Sequence, residues 1–253
     1  MYASLEATLH DAFWAAEDEN SELALIEQFL ASRPGSTLEL GCGSGRLLLP
    51  LIESGIDIEG LDSSADMLRL CKAAAKKQKL TPKLHRGKIE TLDLKKKYTN
   101  VLIPAFTLQL VDLPSIPSAL ETIREHMEEG GGLYLTTFIP WAELTDDVEE
   151  GKWFTDKEIN FDEKHKATCQ TRHFIQRIPQ ILEREHRYEI KNDKGKVIES
   201  HDSLQTLTWF WQRELHLLLA SAGFRVEETI GDFQPNTPLD NDASILTTIA
   251  YAV

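Results

Sequence analysis

Apolar residues recur at helical spacing through SLEATLHDAFWAAEDENSELALIEQFLAS, and RPG stops the pattern, so residues 1–35 read as helix. Beyond them the periodicity alternates. TLEL, IDIEGL, PKLHRG, NVLIPAF and GLYLTTFI are short apolar runs that predict five strands. RLLLPLIES (ended by Gly55), ADMLRLCKAAAKKQK (capped near Ser63 or Ser64) and SIPSALETIREHME (running up to Gly130) predict the helices between them. Strands and helices in alternation build right-handed crossover units, and hence a mostly parallel sheet with helices on both faces.

The texture changes around Pro140. TCQTRHFIQRI, QILEREHRYEI and VIESHDSLQTLTWF are strand-like, and KNDKGK joins the last two through residues that tolerate positive φ. This is an antiparallel insertion after the fifth strand. The alternating pattern then returns with helix FWQRELHLLLASAG and strands FRVEETI and SILTTIAYAV. The expected organisation is one domain over 1–253. It comprises a helical cap (1–35), a core (36–140), the insertion (141–208) and a closing helix with two strands (209–253).

The first strand runs into Gly41, Gly43 and Gly45, with Arg46 next. A strand, a glycine turn and a helix start place main-chain amides beside a ligand, and glycine removes Cβ where that ligand passes. In an open parallel sheet such a turn lies at the topological switch point. The second strand ends in Asp62, where a carboxylate can accept hydrogen bonds from both hydroxyls of a ribose. The ligand therefore contains adenosine. A dinucleotide fingerprint needs a third glycine where Arg46 stands, and neither a phosphate-loop nor a hydrolase-elbow motif is present.

A formal net charge of -14 argues against a general nucleic-acid binder. No apolar run reaches the length of a membrane span. Cys42, Cys71 and Cys169 have no CxxC spacing and cannot all pair, which points to a reducing cytoplasm. No His/Cys cluster has metal-ligand spacing, so no metal is expected.

LELGCGSGRL, GLDSSADML, LHRGKIETLDL, VLIPAFTLQLV and GGGLYLTTF occur in that order, and together they resemble class I S-adenosylmethionine-dependent methyltransferases. The resemblance implies a Rossmann-like seven-stranded sheet whose final strand is antiparallel beside the sixth. It also implies S-adenosyl-L-methionine as cofactor, held by Glu39, Gly41, Cys42, Gly43 and Arg46 on the loop and by Asp62, Ser63 and Met67 after the second strand. Lys88 and Ile89 follow the third strand, and Ala105 and Phe106 follow the fourth. Lys88 departs from the pattern, because many relatives carry an aspartate there to accept from the adenine amine.

Phe106 and Gln109 should face the transferred methyl group, by the same resemblance. The acceptor side is expected from His10, Phe13 and Trp14 and from the inserted strands, where His173, His186, His201 and Tyr188 are candidate bases. Catalytic candidates are thus Phe106, Gln109 and His201. The acceptor is a small molecule methylated on nitrogen or oxygen, with neither nucleic acid nor membrane as partner. The insertion's apolar faces need a cover, either the N-terminal helix or the same insertion of a second subunit in a homodimer. As a lid at the carboxyl edge of the sheet, it would exclude water. The alternatives are a non-catalytic S-adenosylmethionine-binding protein and a nicotinamide-dependent oxidoreductase.

Overall fold

A computed structural model describes residues 4–15, 21–145 and 147–253. The chain divides into two compact units, Met1–Glu19 with Pro140–Leu207, and Asn20–Ile139 with Thr208–Val253.

The larger unit is built on a seven-stranded sheet. Its strands are β1 (Thr37–Leu40), β2 (Ile58–Asp62), β3 (Lys83–Arg86), β4 (Tyr98–Ile103), β5 (Met127–Phe138), β10 (Phe224–Gly231) and β11 (Ile245–Ala252). The spatial order is β10-β11-β5-β4-β1-β2-β3. β1 pairs parallel with β2 on one side and β4 on the other, so the switch in strand order falls at the end of β1. β11 runs antiparallel between β5 and β10, as the resemblance implies.

The pleat divides the core between two faces. Leu38, Leu40, Val101 and Ile103 pack with helices α5 (Ile116–Glu125) and α7 (Gln212–Ser221). Leu102 and Tyr134 turn the other way, toward α2 (Ser21–Ser32), α3 (Leu48–Glu53) and α4 (Ala65–Gln78).

The smaller unit holds α1 (Ser4–Ala15), α6 (Trp141–Leu144) and four antiparallel strands: β6 (Phe154–Asn160), β7 (His165–Gln176), β8 (Ile181–Asn192) and β9 (Val197–Thr208). Leu5, Leu9 and Phe13 of α1 cluster with Ala167, Cys169, Tyr188 and Ile190 on one sheet face. At the β8–β9 turn Gly195 has φ +74°, and Asn192 Oδ1 accepts from the Lys194 and Lys196 amides.

Three expectations change. The N-terminal cap of 1–35 is divided: α1 groups with the inserted strands and α2 with the larger unit, and residues 16–20 between them lie outside the described residues. The helix expected to reach Gly130 ends at Glu125, because pairing of Met127 with Tyr98 draws the chain into β5 and Met127 is fully buried. The insertion has four strands rather than three. β6 escaped notice because it is a largely exposed edge strand with few apolar residues.

Candidate functional site

The glycine loop is clamped from both sides. The Gly41 and Cys42 amides donate to the Leu61 carbonyl at 2.8 and 3.0 Å. Gly41 has φ +76°, and a Cβ there would lie 2.4 Å from Thr107 Cγ2, so the loop packs directly on the turn after β4. Asp62 Oδ2 accepts the Gly43 amide at 2.9 Å, and its Oδ1 accepts the Ser64 amide at 2.7 Å. Ser64, not Ser63, caps α4 by accepting the Met67 amide at 3.2 Å. Met67 is buried, with its Cε 3.1 Å from where a Gly43 Cβ would stand. The Gly87 amide donates to the Asp62 carbonyl at 3.1 Å, which draws the Gly87–Ile89 turn to the same edge. There Ile89 is buried, while exposed Lys88 pairs with Glu90 at 3.3 Å.

Three carboxylates surround this loop. Glu22 of α2 is buried; its Oε2 accepts from Arg46 Nη2 at 2.9 Å, and its Oε1 accepts from the Ala105 amide and the Thr136 hydroxyl. Glu39 lies between Leu38 and Leu40, is 2% exposed, and its Oε2 has no hydrogen-bond partner among the described residues. Burial pushes the Glu39 carboxyl up to about 8; nearby Arg46 opposes the shift, and Glu22 and Asp62 reinforce it. Burial, with Glu39 and Asp62 adding to it, also raises the Cys42 thiol far above its ordinary value, so Cys42 is an inert packing group.

Residues 37–131, the segment that carries this loop, Asp62 and β4, match the family described as "Methyltransferase domain". Over that segment the chain is similar to methyltransferase domains. The chain is 25% identical to the dTDP-3-amino-3,4,6-trideoxy-alpha-D-glucopyranose N,N-dimethyltransferase of Streptomyces venezuelae, over 90% of this chain and 93% of that one. Its fold matches an S-adenosylmethionine-dependent methyltransferase from Clostridium acetobutylicum with a TM-score of 0.79 at 15% identity, covering 97% of each chain. It also matches an S-adenosylmethionine-bound amino pentose methyltransferase from Micromonospora echinaspora, with a TM-score of 0.73 at 18% identity over 100% of both chains.

The donor of such domains, S-adenosylmethionine, suits what the loop offers. A buried carboxylate oxygen without a partner is matched to a cationic group, and the glycine backbone leaves the approach clear of side chains.

After β4 the chain holds Ala105 and Phe106 at φ +50° and +62°, a left-handed conformation that costs of order 1–3 kcal/mol per non-glycine residue. Glu22 holds the Ala105 amide, and the Thr136 hydroxyl accepts the Phe106 amide at 3.4 Å. The Phe106 ring meets Phe138 edge-on at 5.0 Å.

Gln109 is fully buried. Its Oε1 accepts the Phe138 amide at 2.7 Å, and its Nε2 donates to the Phe138 carbonyl at 3.1 Å. Both ends of the amide thus serve the main chain, and the side chain works as a brace between β5 and the turn after β4. Gln109→Ala would remove both bonds to the Phe138 main chain, at about 1–3 kcal/mol. A melting temperature lower by roughly 2–4 °C per kcal/mol should follow. An unchanged thermal midpoint would refute the brace.

Glu22 and Thr136 were not among the sequence candidates. A signal for Glu22 exists: positions 22, 25, 26, 29 and 30 form the buried face of α2, and a carboxylate on that stripe calls for a partner.

In the smaller unit, His173 and His186 face inward, whereas His201 is half-buried. His173 Nδ1 has no hydrogen-bond partner among the described residues. Burial takes His186 down to about 4, and its Nδ1 lies 2.9 Å from the Thr171 hydroxyl. Tyr188 donates to buried Glu6 at 3.3 Å and sits 6.4 Å from the Phe13 ring. The side chains of His10 and Trp14 lie outside the described residues. Asp156, Cys169 and His186 bring ligand-type atoms within 4.8 Å of one another, a grouping that pairing of β6, β7 and β8 creates and linear spacing hides. The Thr171 hydroxyl lies in hydrogen-bond range of all three.

Proposed function

We propose that the protein transfers the methyl group of S-adenosylmethionine to an amine nitrogen of a small molecule. The observation that carries this is the clamped glycine loop: Asp62 and Thr107 fix it on either side, and Glu39 lies beneath it with an unpartnered oxygen. Preference for nitrogen, and for an amino sugar in particular, is supported by the Streptomyces relative that spans most of the chain.

When bound, the donor supplies the activated methyl group. Asp62 would hold the ribose hydroxyls, Met67 and Ile89 the adenine, and Glu39 with the Gly41–Gly43 backbone the amino-acid end. Arg46 meets that end already bonded to Glu22. The chain's own task is alignment and exclusion of water, since the displacement needs nucleophile, methyl carbon and sulfur in line. The C–N bond forms as the S–C bond breaks, and a proton leaves the nitrogen. Phe106 and Ala105, held in a strained turn, would shape the wall beside the methyl group.

Incubation with S-adenosylmethionine and a panel of nucleotide-linked amino sugars, simple amines and matched alcohols tests this reading. Methylated amine and S-adenosylhomocysteine are the expected products. Binding of NAD with no affinity for S-adenosylhomocysteine would overturn it. Donor binding with no acceptor methylated would favour a non-catalytic binder.

The edge strand β9 exposes Ile198 and Leu204, and a second copy of the chain would cover it. Sedimentation should then give a dimer mass, and a monomer at all concentrations would exclude that pairing. Among the described residues no helix is long and apolar enough to cross a membrane.

A further inference from the structure

Three acids face the glycine loop, and they are compensated unequally. Asp62 accepts two backbone amides. Glu22 accepts a guanidinium, a backbone amide and a hydroxyl. Glu39 is as buried as Glu22, yet its Oε2 has no hydrogen-bond partner among the described residues. Its neighbours are Glu22 from α2, Arg46 from the loop and Asp62 at the end of β2, with the Cys42 thiol beside it. The Tyr134 hydroxyl of β5 shares the influence of Glu22 and Arg46. Tyr134 and Cys42 are both held neutral by burial, so they bring no charge. The charged groups around Glu39 are therefore two carboxylates and one guanidinium, and that guanidinium is bonded to Glu22.

An ionised carboxylate in such a place is unfavourable, because it is desolvated and repelled at once. A cation beside it reverses the balance. We infer that Glu39 is neutral in the free protein and releases its proton as the cationic donor binds, so that donor affinity is set by pH through this one side chain. The inference rests on the reading that the loop binds S-adenosylmethionine.

The sign follows from linkage. The free protein holds the proton up to about pH 8, where burial has carried the Glu39 carboxyl. The bound form prefers the carboxylate, so binding releases a proton below that pH and affinity rises with pH. Above it the proton is already gone and affinity levels off. The donor also differs in charge from its product. S-adenosylmethionine carries a sulfonium that S-adenosylhomocysteine lacks, so an ionised Glu39 favours the donor over the product.

Calorimetry of S-adenosylmethionine and S-adenosylhomocysteine in buffers of different ionisation heat, near pH 7, counts the protons exchanged. Wild type should release close to one proton with either ligand. Its affinity should climb up to about 100-fold between roughly pH 6 and 8, about tenfold per pH unit. In Glu39→Gln the release should vanish and the pH dependence should flatten, and the preference for donor over product should narrow. The ligand's own amino group titrates identically in both proteins, which isolates Glu39.

Should Glu39→Gln fail to bind, Glu22→Gln gives a second reading. Loss of a neighbouring charge should move the rise in affinity to lower pH. No proton release by wild type, or equal release by a binding-competent Glu39→Gln, would overturn the inference while leaving the methyltransferase reading intact. Absence of binding of either ligand by wild type at any pH would instead remove the reading on which the inference stands.

Discussion

Asp62→Ala is expected to weaken S-adenosylhomocysteine binding by about 100-fold or more. Two hydrogen bonds from ribose hydroxyls to a carboxylate are lost, each worth about 1.5–3 kcal/mol. The loss also reaches the fold, because Asp62 holds the Gly43 and Ser64 amides at 2.9 and 2.7 Å. A measurable fall in thermal midpoint should therefore accompany the loss of affinity. Asp62→Asn separates the two roles, since it keeps one acceptor oxygen but turns an N–H toward one of the amide donors. Calorimetry with a parallel thermal melt checks both. A folded Asp62→Ala protein of wild-type affinity would reduce Asp62 to a turn cap.

The second large effect lies at the opposite, amino-terminal part of the same strand. Glu59 is buried and accepts from Lys83 and Lys96 Nζ at 2.9 Å each, His85 Nε2 at 2.8 Å and the Tyr98 hydroxyl at 2.9 Å. These side chains come from β3, β4 and the segment before β4, so one carboxylate ties three chain segments together. Glu59→Ala should cost about 3 kcal/mol, the lower end for breaking a buried pair, because the lysines can turn to water. Tyr98 cannot. The melting temperature should drop by about 6–12 °C.

The pH dependence has a definite sign. Although burial opposes it, the surrounding donors hold the Glu59 carboxyl down to about 2, from an ordinary 4.5. This stabilisation is fully present above about pH 4.5 and disappears as pH falls toward 2. Denaturant melts of wild type and Glu59→Ala should therefore differ most near neutrality and converge in acid. A constant gap across that range would show that Glu59 contributes by packing and not by charge.

Much of the larger unit was legible from the sequence because its signals are local. A buried parallel strand announces itself as an apolar run, and an amphipathic helix as a 3.6-residue period. The glycine turn appears as residues that admit positive φ. The errors fell where neighbours outweigh local preference. Met127 joins β5 because Tyr98 pairs with it, and β6 forms along the edge of β7 despite its polar composition. His173 and His186 read as strand histidines with even access to either face, and only strand pairing turns both inward.

The sequence by itself determined the alternation of elements, the glycine loop, the carboxylate after the second strand and the departure at Lys88. Each depends on residues within a few positions of one another, where backbone sterics and side-chain periodicity act directly. The tertiary structure decided which of those residues carry charge and which merely brace. The Ala105 amide reaches Glu22 across 83 positions, and the Thr136 hydroxyl reaches the same carboxylate across 114. Gln109, expected to face the methyl group, is turned to the Phe138 main chain, while Glu39 is buried with no partner for Oε2 among the described residues. Crossover connections bring these distant segments to one edge of the sheet, and the protonation of a buried acid depends on what surrounds it there.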